Sequence, residues 1–133
     1  MGGGGTWHIG MKYPDIWAAL APVAPAPPRN INDLTKIKHL PVIVVCGDQD
    51  GLVRSARVWV ARMKALEMTY KYVEVKGGDH IRPAFQMLPD IYDFFNKHTK
   101  APPAKEKAKD ARIPRPSQSR MVEIGKLMWR LTK

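Results

Sequence analysis

An α/β architecture with a parallel sheet is what this sequence predicts, and three observations carry it. Pro41-Val-Ile-Val-Val-Cys46 is a continuous β-branched run without polar alternation, the mark of a strand buried on both faces. Tyr70-Lys-Tyr-Val-Glu-Val75 alternates as a second strand should. Helical stretches separate and follow these runs, and strand–helix–strand–helix order implies crossovers within a parallel sheet. The 133 residues suffice for one such domain.

At the start of the chain, Met1 to Trp7 is glycine-rich and leads into a helix-like stretch from Trp7 to Tyr13, closed by Pro14. Trp17 to Ala24 is a short apolar run bounded by Pro25, Pro27 and Pro28, and it reads as a buried strand, making about three in all. Residues 29–40 are polar and read as a loop with one helical turn. After the loop Gly47–Val53, residues 54–68 place Val58, Ala61, Ala65 and Met68 on one helical face. The Tyr70–Val75 strand ends at Gly77-Gly78-Asp79-His80, and residues 84–98 are helical in period, with Pro89 opening a second short helix. A Pro/Ala/Lys linker then divides a body, 1–99, from a tail, 100–133, in which residues 121–131 have the spacing of a short amphipathic helix. Trp7, Trp17 and Trp59 are expected in or at the edge of the core.

A hydrophobic content of 44% excludes a wholly disordered chain. The net charge of +10 is uneven: the tail holds ten Lys/Arg against three Asp/Glu, and the body twelve against nine. A nucleic-acid or acidic-partner reading therefore attaches only to the tail, where a solvated extension is the simpler alternative. No apolar run approaches the roughly 20 residues of a membrane helix, and no charged-then-apolar signal segment opens the chain. One cysteine, Cys46, excludes an intramolecular disulfide and cysteine-rich structural zinc. The histidines show no metal-ligand spacing, with His8, His39 and His98 expected at the surface, and no cofactor is called for.

Two loops carry candidate chemistry. Gly47-Asp48-Gln49-Asp50-Gly51 comes directly after the best strand, where α/β enzymes place ligands and catalytic groups. The same aspartates also suit a turn that caps the next helix. Gly77-Gly78-Asp79-His80 ends the next strand and leaves a histidine on an accessible loop, where a lone histidine is often only solvated. An Asp and a His on successive strand ends can meet at one sheet edge, the acid orienting the His as general base. The opening Met1-Gly2-Gly3-Gly4-Gly5-Thr6 is not a P-loop, because it lacks a subsequent Gly-Lys-Ser/Thr and a preceding strand. It also fits the N-myristoylation pattern, although a family resemblance accounts for the glycines better.

Taken together these segments resemble α/β-hydrolases of the polyhydroxybutyrate-depolymerase/feruloyl-esterase-like group over about residues 1–99. Met1-Gly2-Gly3 is similar to the residues just after the nucleophilic serine there, Gly5-Thr6-Trp7 to the next helix, and Lys12-Tyr13-Pro14-Asp15 to the turn after it. Pro41 to Val53 resembles the strand and acid loop, which implies Asp50 rather than Asp48 as the triad acid. Tyr72 to His80 resembles the histidine loop, which implies His80 as the base, in the acid-then-histidine order of that fold.

The resemblance places the serine immediately before Met1, with Met1 and Gly2 in the oxyanion region and the Met1 nitrogen a charged amine instead of an amide. The serine and the earlier central strands are thus expected to be missing from these residues. Ser55, Cys46, Ser117 and Ser119 are poor substitutes, since none occupies a sharp strand-to-helix turn. The expected function is that of the C-terminal half of a serine carboxylesterase, acting on a small ester if active and retaining its acid and base. A non-catalytic binding protein using its basic tail, and weak hydrolysis by water activated at Asp50–His80, are the alternatives. An exposed sheet edge is expected to be covered by a homo-oligomer, strand exchange or the tail helix.

Overall fold

A computed structural model describes residues 1–100; the 121–131 helix and the rest of the expected tail lie outside the described residues. Strand β1 (Val42–Gly47) is buried at every position, which is why its sequence lacks alternation. It pairs in parallel with β2 (Tyr70–Val75), Val42 facing Tyr70 and Gly47 facing Val75. Val42, Val44 and Cys46 pack on one face with Trp7, Leu34, Ile37, Ala56, Trp59 and Met63. Ile43 and Val45 pack on the other with Ala19, Val75, Ile91 and Phe94. Helices therefore cover both faces. The first layer holds α1 (Gly2–Lys12), a 3-10 helix (Ile31–Ile37) and α2 (Val53–Ala65). The second holds α4 (Leu88–Lys97), preceded by the short α3 (Arg82–Gln86).

The expected third strand makes only two isolated parallel bridges to β1, Leu20 to Val42 and Val23 to Val45. Their common offset shows one continuous register, and the reason for the break is a single residue. Leu20 N–H donates to Pro41 O, Ile43 N–H to Leu20 O, Val45 N–H to Pro22 O and Ala24 N–H to Val45 O. The missing rung is the one for which Pro22 has no N–H. Alternation turns Ala21 and Val23 toward the free edge, where their N–H groups find no partner among the described residues.

Two further expectations are corrected. The first helix starts at Gly2, not Trp7, despite the poor helix propensity of glycine. Close packing explains it: Gly3 lies so near the Val23 carbonyl that a Cβ would overlap its oxygen, and Trp7 stacks on Trp59 with ring centroids 4.5 Å apart. The inner face of α2 is Ala56, Trp59 and Met63, while Val58, Ala61 and Ala65 are exposed and Met68 lies beyond the helix. Two apolar stripes share the helical period, and the one with the larger Trp59 and Met63 side chains turns inward because it removes more surface from water. Pro89 sits in the first turn of α4, as expected. Trp7 and Trp59 are in the core and Trp17 packs at its edge.

Two ion pairs tie these elements together at the surface. Arg57 Nη2 and Nε donate to the two carboxylate oxygens of Glu74, at 2.6 and 3.1 Å, and Tyr72 Oη donates to Glu74 Oε2 at 2.7 Å. Hydrogen bonds from Arg57 and Tyr72 hold the Glu74 carboxyl below its ordinary value. Lys71 reaches Asp90 of α4 at 2.7 Å. Such exposed pairs stabilise little, so the buried faces of β1 carry the fold.

The glycines of α1 are predicted to respond in opposite directions in urea unfolding. Gly3→Ala should cost about 2 kcal/mol through overlap with the Val23 backbone. Gly5→Ala, where a Cβ meets nothing within 4 Å among the described residues, should stabilise by about 0.5 kcal/mol.

Candidate active site

The loops after β1 and β2 abut because both strand ends carry glycine. A Cβ on Gly47 would overlap the Gly78 carbonyl, so no larger residue permits this approach. Gln49 N–H donates to Gly78 O and Asp48 N–H to Val75 O, fastening one loop to the other. Gly77, at φ +66°, supplies the left-handed turn that brings the second loop back.

This arrangement brings Asp50 and His80 together, with Asp50 Oδ2 2.9 Å from His80 Nδ1. The acid is buried, its side chain 4% exposed, whereas the histidine side chain is 53% exposed. Asp50 Oδ1 accepts the Leu52 N–H at 2.9 Å, and the Asp50 C=O accepts the Val53 N–H, so the acid loop also forms the entry to α2. The capping turn and the meeting of strand ends are therefore the same structure. An ionised Asp50 accepts only, so Nδ1 carries the proton and Nε2 of neutral His80 is left as the basic nitrogen. Asp48, by contrast, makes no side-chain hydrogen bond among the described residues, and its Oδ1 is buried without a partner among them.

His80 lines a cleft of about 390 Å³ together with Met1, Gly2, Gly3 and Thr6 from the start of α1. The remaining walls are Ala21, Val23, Ala24, Ile81 and Ala84. The two residues expected in the oxyanion region thus border the same cleft as the expected base. The first-turn N–H groups of α1 have no acceptors within the helix, so this end of the cleft favours developing negative charge. Ser55 is far less suited to chemistry: it is buried in the first turn of α2, with its Oγ unpartnered among the described residues. Cys46 is also buried, and its thiol is pushed up to about 11 by burial and by the Asp50 charge.

Sequence reasoning missed two features. The apolar walls at Ala21, Ala24, Ile81 and Ala84 come from separate elements and leave no contiguous signal. Asp79 is the second: its Oδ1 accepts the Ile81 and Arg82 N–H groups at 2.9 and 2.7 Å and anchors the start of α3 beside His80. An Asp shortly before a Pro-containing first helical turn, here Arg82-Pro83, was the available signal.

The layered parallel sheet and the meeting of two strand-end loops beside a helix N-terminus define part of an α/β-hydrolase fold. Solved structures similar to this chain include a thermostable esterase, with TM-score 0.60 and 23% identity over 71% of this chain and 28% of that one. SOBER1 from Arabidopsis thaliana matches with TM-score 0.60 and 16% identity over 71% of this chain and 48% of that one. A ferulic acid esterase matches with TM-score 0.57 and 17% identity over 71% and 49%. The chain thus spans less than half the length of each of these structures. No protein-family model and no curated protein sequence matches it.

Hydrogen bonds from the Arg82 and Ile81 N–H groups hold the Asp79 carboxyl below its ordinary value. A depressed folded-state value stabilises the fold above the ordinary carboxylate range, and the gain is lost as pH falls through the folded-state value. Asp79→Ala should therefore lower Tm at pH 7. Once the pH is low enough to protonate Asp79 in the folded protein, the two melting curves should converge.

Proposed function

We propose that residues 1–100 carry the acid–base half of a serine carboxylester hydrolase site, with Asp50 as the acid and His80 as the base. The 2.9 Å contact between a buried carboxylate and an accessible imidazole, bordering a cleft at a helix N-terminus, carries this reading. Asp50 holds His80 in the tautomer whose Nε2 accepts a proton. In a complete site, His80 takes the proton of a serine hydroxyl as that oxygen attacks the ester carbonyl. It then returns the proton to the departing alcohol, and the resulting acyl-enzyme is hydrolysed by water activated in the same way. Backbone N–H groups at the Met1–Gly2 end of α1 stabilise the oxyanion.

In this reading the serine falls directly before Met1, outside these 133 residues. Loss of a nucleophilic serine costs about 10⁶ in kcat in well-measured cases. The chain by itself should therefore show only the slow hydrolysis that His80 can promote by activating water. With a short-chain p-nitrophenyl ester, this turnover should resist serine-directed phosphonates and fall about a hundredfold in both His80→Ala and Asp50→Ala. Turnover that persists in both variants contradicts the assignment.

The reading also accounts for the free edge at Ala21 and Val23, which in a complete sheet has a neighbouring strand. In the isolated chain we assign that place to a second copy, paired edge to edge. Size-exclusion chromatography with light scattering should show a dimer or larger species. Ala21→Pro removes an outward N–H without touching a bond to β1, and it should return the protein to monomer.

A further inference from the structure

We infer that Cys46 is a positioning residue, whose thiol donates to Asp50 Oδ2 and holds the carboxylate in the orientation that keeps the proton of neutral His80 on Nδ1. The inference rests on the pairing of Asp50 with His80 proposed above. Cys46 ends the apolar run of β1 immediately before Gly47 and has no exposed surface. Its Sγ lies 3.7 Å from Asp50 Oδ2, the same oxygen that His80 Nδ1 approaches to 2.9 Å. The other oxygen, Oδ1, takes the Leu52 N–H at 2.9 Å. Both carboxylate oxygens are thus gripped from inside the protein, one by a backbone amide and one by a thiol, and the imidazole approaches from the cleft side.

A thiol is a weak donor in water, but here it is shielded from competing solvent. The raised thiol value of about 11 keeps Cys46 protonated, and therefore a donor, throughout the range in which histidines ordinarily titrate. The remaining apolar positions of β1, Val42 to Val45, are all valine or isoleucine. The one side chain of the run with a proton to give is the one beside the acid.

Long-range ¹H–¹⁵N correlation spectra of the full chain near pH 8 report the tautomer ratio of neutral His80 and need no ester turnover. A failed hydrolysis assay therefore leaves this test intact. Cys46→Ala should reduce the Nδ1–H to Nε2–H ratio about threefold, the scale of one modest hydrogen bond. Cys46→Ser, which restores a donor, should keep the ratio near that of the wild type. A purely packing role would lower stability in both variants and leave the tautomers unchanged, which would overturn the inference. A second measurement avoids substitutions at Cys46. Thiolate absorbance should show Cys46 titrating at lower pH in Asp50→Asn than in the wild type, and an unchanged titration would also overturn it.

Discussion

The candidate site depends on the van der Waals contact between Gly47 and Gly78. Only hydrogen atoms separate the two backbones there, and the hydrogen bond from Gln49 N–H to Gly78 O locks the acid loop to the histidine loop. Strand pairing alone aligns Gly47 with Val75, but it does not bring the side chains beyond them into contact. The absence of two Cβ atoms closes the last few ångströms, and Asp50 then meets His80. A buried carboxylate is expensive unless its oxygens are satisfied. Leu52, His80 and Cys46 all reach Asp50, so the cost of burying the acid is offset by the groups that aim it.

The same use of missing side chains recurs at the other wall of the cleft. Gly3 lets the start of α1 settle on the Val23 carbonyl, and the stacked Trp7 and Trp59 rings anchor the helix further along. Four consecutive glycines are a poor helical sequence in isolation. Tertiary packing overrides that propensity, because close backbone approach and aromatic burial together outweigh the conformational entropy of ordering glycine. The helix N-terminus is thereby held beside the loop that bears His80. Two elements far apart in sequence form one cleft, each positioned by residues that lack a side chain.

The chain's relation to known folds is partial in a specific sense. β1 is buried on both faces and flanked on both sides, but among the described residues the 17–24 segment has a neighbour on one side only. Its one proline within the paired stretch, Pro22, sits where its missing N–H interrupts the ladder to β1. The outward-facing rungs at Ala21 and Val23 keep their donors. The edge thus retains the capacity to pair, which agrees with a chain that spans only part of each structurally similar esterase.

What the sequence determined by itself was local and periodic. The unbroken Val42–Cys46 run can be satisfied only by burial on both faces, and Pro89 can open a helix but not sit within one. The resemblance singled out Asp50 and His80 through loop motifs that survive without context. Tertiary structure decided what depends on comparison between surfaces. In α2, Val58 and Ala61 satisfy the helical period as well as Trp59 and Met63 do, and only the depth of the facing core selects the larger pair. The start of α1, the shared role of Cys46 and Leu52 at the carboxylate, and the walls of the cleft each join residues from different elements. Periodicity describes one segment at a time, whereas packing and hydrogen bonding at a buried acid are settled by whatever the fold brings within a few ångströms.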